Sequence, residues 1–176
     1  NKKARSLELR TDIKNQHKQI VTTGISEVKV IDIKEETIEP IMKETPIALV
    51  IGATGGIGSQ TCIELAKSGF DLAVHYYSNK EEALSIQKSI EKLNRKAMIV
   101  QCNVTDLQGL LEIKYKIERT LGKVTNVINC STTATPNIKF GDIDWGKFIE
   151  HYNVNVQGAF NLVKTFMPSM IERKNG

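Results

Sequence analysis

The stretch IGATGGIG, residues 51–58, decides how this chain is read. It places four glycines, Gly52, Gly55, Gly56 and Gly58, within eight residues, directly behind the apolar run PIALV of residues 46–50. PIALVIG is apolar without alternation, the pattern of a strand buried on both faces of a parallel sheet. IGSQTCIELAKSG, which follows, predicts a helix with Ile57, Cys62, Ile63 and Leu65 along one side, stopped at Ser68-Gly69. A glycine loop between a buried strand and a helix leaves free N–H groups at the helix start, where the helix dipole favours negative charge. Gly52 then permits the tight turn out of the strand, Gly56 lets backbone approach a pyrophosphate, and Gly58 lets the helix lie close on the sheet. A glycine-rich string alone also fits a plain turn; its place between strand and helix is what favours a dinucleotide.

Working outward, strand and helix alternate strictly from residue 46. DLAVHYY (71–77) is a second strand, and NKEEALSIQKSIEKLN (79–94) an amphipathic helix with Leu84, Ile86, Ile90 and Leu93 as its apolar positions. AMIVQCNV (97–104) is a third strand, followed by a third helix with Thr105 as its expected N-cap. VTNVINC (124–130) is a fourth strand, and after a loop a long helix is expected from about Asp144 to Arg173. The alternation predicts an α/β fold, a doubly wound parallel sheet of Rossmann type, incomplete, over residues 46–176.

The amino-terminal part reads differently. LELRTDI alternates Leu7, Leu9, Thr11 and Ile13 on one face; KNQHK is a polar turn; QIVTTGISEVKVI alternates again, with Gly24 as an expected bulge. Residues 1–33 therefore form an N-terminal β-hairpin domain, which is marginal alone because its apolar face has no partner. Residues 34–45, charged and carrying Pro40, are expected to be a linker, with Ile38, Ile41 and Met42 as the alternative of a short docked turn.

Of the 176 residues, 40% are hydrophobic and 25% charged, the balance of a globular protein. The net charge of +4 is spread without a basic patch, which argues against a nucleic-acid partner. The three cysteines, Cys62, Cys102 and Cys130, lie in apolar patterns with no C-x-x-C spacing. They read as reduced thiols of a cytoplasmic protein, with no metal site. No apolar run is long enough for a bilayer and no signal peptide is visible, so no membrane partner is expected. The chain opens without methionine, and both ends read as cut.

Four segments together carry a resemblance to a known family. ALVIGATGGIG resembles the T-G-x-x-x-G-I-G fingerprint of the short-chain dehydrogenases/reductases, with Ile51 in place of the threonine. QCNVTD (101–106) matches that family's D-V-T-D with Asn103 for the aspartate. VINCST (127–132) sits where the family has N-N-A-G, and only Asn129 agrees. YNVNVQGAF (152–160) resembles v-N-l-x-G-x-f and puts the family's catalytic asparagine on Asn155. VHYYSNKEEA, after the second strand, is nearest to the 3-oxoacyl-acyl-carrier-protein reductases.

The resemblance implies a nicotinamide coenzyme held by Gly52, Thr54, Gly55, Gly56, Ile57 and Gly58. Tyr77, Ser78 and Asn79 would serve at the end of the second strand, the Asn103 carbonyl and the Val104 backbone at the adenine, and Asn129 and Ser131 after the fourth strand. His75 to Lys80 offer no acid before Glu81 to a ribose 2′-phosphate, which favours NADP, with NAD as the alternative; Gly55, where many NADP-dependent relatives carry a basic residue, argues the other way. The activity implied is hydride transfer between NADP(H) and a 3-oxoacyl or 3-hydroxyacyl thioester of acyl-carrier protein or coenzyme A. A homo-oligomer is implied as well, because the long helix resembles one that relatives bury between subunits. The family's serine and Tyr-x-x-x-Lys are not found before Gly176, so the segment alone is not expected to turn over. Tyr76 and Lys80 have that spacing but follow the second strand, beside the ribose, and are rejected. The drifted NCST run leaves open a nucleotide-binding regulatory or scaffold domain without redox chemistry. Sugar-nucleotide epimerases fit less well, since they space their glycines differently. Residues 6–30 resemble the last two strands of MaoC-like hotdog hydratases, against the alternative of an accessory hairpin.

Overall fold

The computed structural model describes residues 5–14, 16–30, 45–133, 139–174 and 176. The linker expected over 34–45, with Ile38, Ile41 and Met42, lies outside the described residues except for Thr45. The chain divides into two compact units, Asn1–Ile41 and Met42–Gly176.

In the first unit, β1 (Arg5–Lys14) and β2 (Ile20–Val30) pair antiparallel. Gly24 pairs in register with Thr11, so it is not the bulge expected of it. The irregularity falls where Ile13 opposes Thr22 and Lys14 opposes Ile20, next to the turn, and leaves Val21 as the extra residue. Lys18 takes a positive φ of 62° in that turn. Across the strands Thr23 Oγ1 donates to Asp12 Oδ1 at 2.9 Å.

The second unit is built on β3 (Ile47–Ile51), β4 (Asp71–Tyr76), β5 (Ala97–Gln101) and β6 (Asn126–Asn129), all parallel, in the order β5-β4-β3-β6. Every residue of β3 and β4 is buried, as suits two central strands, including the polar Asp71 and His75 of β4. The chain winds outward from β3 through β4 to β5, then returns to lay β6 on the other side of β3. The winding reverses between β3 and β6, and in such sheets a crevice opens there at the carboxyl ends of the strands.

Helices cover both faces. Leu49, Ile51, Ala73, Met98 and Val100 pack with Leu110, Ile113 and Ile117 of α3 (Leu107–Thr120) and Leu162 and Phe166 of α5 (Gly158–Arg173). On the opposite face Ala48, Val50, Leu72 and Val74 meet Cys62 and Ala66 of α1 (Gly56–Lys67) and Ala83, Ile86 and Ile90 of α2 (Lys80–Glu91).

Helix faces differ in detail from expectation. Ile57 is 79% exposed and not part of the α1 core stripe, which runs through Gly58, Cys62 and Ala66 at four-residue spacing. On α2 the buried set is Ala83, Ile86 and Ile90, while Leu84, and Leu93 just past the helix, are 38% and 37% exposed. The N-cap of α3 is Asp106, whose Oδ1 accepts from the Gln108 N–H at 3.0 Å, and not Thr105. The long helix is capped by Asp144 and runs as α4 (Trp145–Tyr152), a π-helical turn over Asn153–Gln157, and α5.

Candidate functional site

A cleft of about 720 Å³ opens at the carboxyl ends of the strands of the second unit. Gly52, Thr54 and Gly55 line it from the loop after β3, Tyr77 and Ser78 from the end of β4, Asn103 and Val104 from the end of β5, and Ser131 from the end of β6. Ile149, Glu150 and Asn153 close it from the α4 side.

The glycine loop is shaped by two hard contacts. Gly52 has φ +68°, and a Cβ there would lie 2.8 Å from the Cys130 carbonyl carbon and the Ser131 nitrogen. Only glycine lets the ends of β3 and β6 close up in this way. A Cβ on Gly58 would overlap the Gly52 carbonyl oxygen and come within 2.8 Å of Ala53 Cα, so Gly58 sets how near α1 lies to the loop. Gly56 is different: a Cβ there meets no atom within 4 Å. The N-cap of α1 is Gly55, which supplies no side-chain cap, and no acidic residue occupies the first turn. The N–H groups of that turn are thus left for an anion, and a diphosphate fits the loop on this ground.

Beneath the loop sits a histidine that the sequence reading placed in the second strand without a role of its own. His75 is 2% exposed. Its Nδ1 accepts from the Gly52 N–H at 3.2 Å and its Nε2 lies 3.0 Å from the Cys102 carbonyl. Because a backbone N–H can only donate and a carbonyl can only accept, the ring must be neutral with its hydrogen on Nε2. Burial lowers the imidazole pKa, and the bond to Cys102 opposes that only in part. His75 therefore ties the ends of β3, β4 and β5 together. Tyr76, expected beside the ribose, is buried instead, with its hydroxyl 3.4 Å from Gln101 Oε1. The signal was available: Leu72, Ala73 and Val74 precede His75 without alternation, as in a strand covered on both faces, so a histidine following them is buried.

At the end of β4, Tyr77 and Ser78 line the cleft, with His75 behind them at its floor. Asn79 is instead the N-cap of α2, its Oδ1 accepting from the Glu82 N–H at 3.1 Å. Asn103 Oδ1 accepts from the Thr105 N–H at 3.0 Å and from Thr105 Oγ1 at 2.9 Å. The carbonyl expected to meet the adenine is thus engaged in a local turn. Val104 and Thr105 are held from behind by Asn161, 6% exposed, whose Nδ2 donates to both carbonyls at 3.2 and 3.1 Å. Sequence reasoning missed Asn161; its only trace is an amide in the otherwise apolar run GAFNLV, 158–163.

At the end of β6, Asn129 Oδ1 accepts from the Ser131 N–H at 3.1 Å and from Ser131 Oγ at 2.6 Å. Asn129 lines a separate hollow with Val163 and Met167, so of the two only Ser131 reaches the cleft. Thr133 Oγ1 is hydrogen bonded to His151 Nδ1, which joins this loop to α4. Gly56 and Ile57 line a shallow depression on the outer side of α1 with Gln60 and Thr61, and Gly58 lies buried beneath the loop. Asn155 sits in the π-helical turn, exposed, while its neighbours Asn153 and Val154 line the cleft. Burial pushes the thiols of Cys62 and Cys102 up to about 12, so both stay protonated at neutral pH. Among the described residues no helix is long and apolar enough to cross a membrane.

Comparison with known proteins agrees with this geometry. The family model described as short chain dehydrogenase matches residues 46–176. The 3-oxoacyl-[acyl-carrier-protein] reductase of Staphylococcus aureus is 27% identical over 137 residues, covering 77% of this chain and 54% of that protein. The enzyme of the same name from Thermotoga maritima is 30% identical over 135 residues, covering 76% of this chain and 53% of that protein. A solved structure of NAD+-bound xylitol dehydrogenase superposes with a TM-score of 0.71 at 26% identity, covering 76% of this chain and 51% of that one. The chain thus spans about half the length of the curated relatives it matches.

Proposed function

The chain belongs to the short-chain dehydrogenase family, and from that premise we propose that its cleft takes NADP(H) and that the full-length protein interconverts 3-oxoacyl and 3-hydroxyacyl thioesters. One observation carries the reading: the start of α1 has no side-chain cap and opens, through a glycine loop, onto the crevice where the winding reverses. When bound, the coenzyme supplies or takes up the hydride.

The protein's own part is to bind and orient. Thr54, Gly55, Gly56, Ile57 and Gly58 offer the uncapped helix start to the diphosphate. Tyr77 and Ser78 offer hydroxyls to a ribose 2′-phosphate, and no carboxylate from His75 to Lys80, at the carboxyl end of β4 and in its loop, repels that charge, which supports NADP over NAD. Asn103 and Val104 take the base, and Ser131, held by Asn129, borders the end of the cleft nearest α4. Asn155 is proposed as a positioning residue; π-helical turns such as Asn153–Gln157 concentrate at functional sites. The thioester, carried on acyl-carrier protein or coenzyme A, is inferred from the activities named for the two reductases of S. aureus and T. maritima. The hairpin of β1 and β2 is proposed, on its sequence resemblance, as the end of a hydratase domain acting on the same class of thioester.

The test is turnover of acetoacetyl-coenzyme A by the full-length protein, followed as loss of the near-ultraviolet absorbance of reduced coenzyme. Consumption with NADPH, faster than with NADH, supports the reading. Tight NADPH binding with no turnover of any 3-oxoacyl thioester supports a nucleotide-binding regulatory domain instead.

A further inference from the structure

Resting on the coenzyme reading above, we propose that the base end of the cleft presents two hydrogen-bond donors, Asn103 Nδ2 and the Val104 N–H, and so does not select a 6-amino purine over a 6-oxo purine.

The orientation of the Asn103 amide follows from its partner. The Thr105 N–H can only donate, so the atom 3.0 Å from it is the oxygen. Thr105 Oγ1, at 2.9 Å, occupies the second lone pair of the same oxygen. What remains is Nδ2, which carries two hydrogens and accepts nothing. Among the described residues Nδ2 has no partner, and neither has the Val104 N–H beside it. Both residues line the cleft.

Apart from the Thr105 oxygen, whose hydrogen goes to Asn103, the acceptors nearby are already engaged. The Val104 and Thr105 carbonyls receive Asn161, and the Cys102 carbonyl receives His75. The neighbouring carboxylate, Asp106, caps α3 with Oδ1 and packs Oδ2 over Gly109, away from the lining of the cleft. A 6-amino purine shows a donor and an acceptor on its pairing edge; a 6-oxo purine shows an acceptor and a donor. Against two donors each base makes one bond and meets one mismatch. A carboxylate at position 103 would break that symmetry, with one oxygen keeping the Thr105 N–H and the other accepting from the amino group.

The experiment titrates the full-length protein by calorimetry with reduced coenzyme carrying adenine and with its hypoxanthine analogue, both with the 2′-phosphate. The wild type is expected to bind the two within about threefold of each other. Asn103→Asp, which keeps an acceptor for Thr105 and so keeps its melting temperature, is expected to shift the ratio about tenfold or more toward adenine. A wild-type preference of about tenfold or more for adenine overturns the proposal, and its loss in Thr105→Val would give the selection to the Thr105 oxygen. An unchanged ratio in Asn103→Asp overturns it as well, with the coenzyme reading left standing. Binding of neither coenzyme overturns both.

Discussion

Gly58→Ala tests the loop at the point where its packing is tightest. The added methyl would overlap the Gly52 carbonyl oxygen and come within 2.8 Å of Ala53 Cα. Both are backbone atoms, so no side chain can rotate aside, and either the loop or α1 must move. Overpacking of this kind costs about 1–3 kcal/mol, and the better helix propensity of alanine returns at most about 1 kcal/mol. A net loss of about 1–2 kcal/mol lowers the melting temperature by roughly 3–8 °C in a unit of this size. Gly56→Ala is the matched control, because its methyl meets nothing within 4 Å. It should melt at the wild-type temperature or slightly above, yet lose about tenfold or more in NADPH affinity, since the methyl occupies the approach to the helix start. Differential scanning fluorimetry and calorimetric titration of both variants separate the two effects. Gly58→Ala melting with the wild type would refute the packing argument; Gly56→Ala binding NADPH unchanged would refute the ligand argument.

Three further outcomes follow from the site and its supports. His75 is neutral when folded with a lowered pKa, so the unfolded chain takes up its proton first as the pH falls below about 6.5. Stability is therefore full above that pH and declines below it by up to about 1.4 kcal/mol per pH unit until the lowered folded value is reached. Urea unfolding across this window should show His75→Gln with a flatter slope than the wild type, and equal slopes would contradict the assignment. Asn161→Leu leaves two inward carbonyls without donors, should cost about 1–3 kcal/mol, and should weaken coenzyme binding through the Val104 loop; full affinity in that variant would show that the loop is held otherwise. Asp71→Ala removes the acceptor of the Lys96 N–H and the partner of Arg95, each 2.8 Å away. Since Arg95 stays partly solvated, the expected loss is about 1–3 kcal/mol, read as a lower urea midpoint with no change in coenzyme affinity.

The order of elements was legible because it rests on periodicity. The unbroken apolar run at 47–51 marked a central strand, the largely apolar 71–76 read as the next, and the alternation with helices allowed little besides a parallel sheet. What periodicity does not carry is which of two neighbouring polar atoms turns inward. Thr105 and Asp106 are both good N-caps, and the choice fell to Asp106 because Thr105 is drawn into the Asn103 turn. Ile57 suited an apolar stripe by type, but as the second residue of α1 it lies a turn before the sheet contact made by Cys62 and Ala66. His75 was visible as a strand residue but not as a tie between strands, because its bonds reach Gly52 and Cys102, each more than twenty positions away. Asn79 was likewise read as a ligand donor when its nearest need is the open end of α2.

The central claim is that the uncapped start of α1 holds the coenzyme's diphosphate. Amide resonances of isotope-labelled full-length protein, followed as NADPH is added, address it at the atoms concerned. The amides of Gly55, Gly56, Ile57 and Gly58 are expected to move together and saturate with a single affinity. Saturable binding that leaves those four amides unmoved would contradict it.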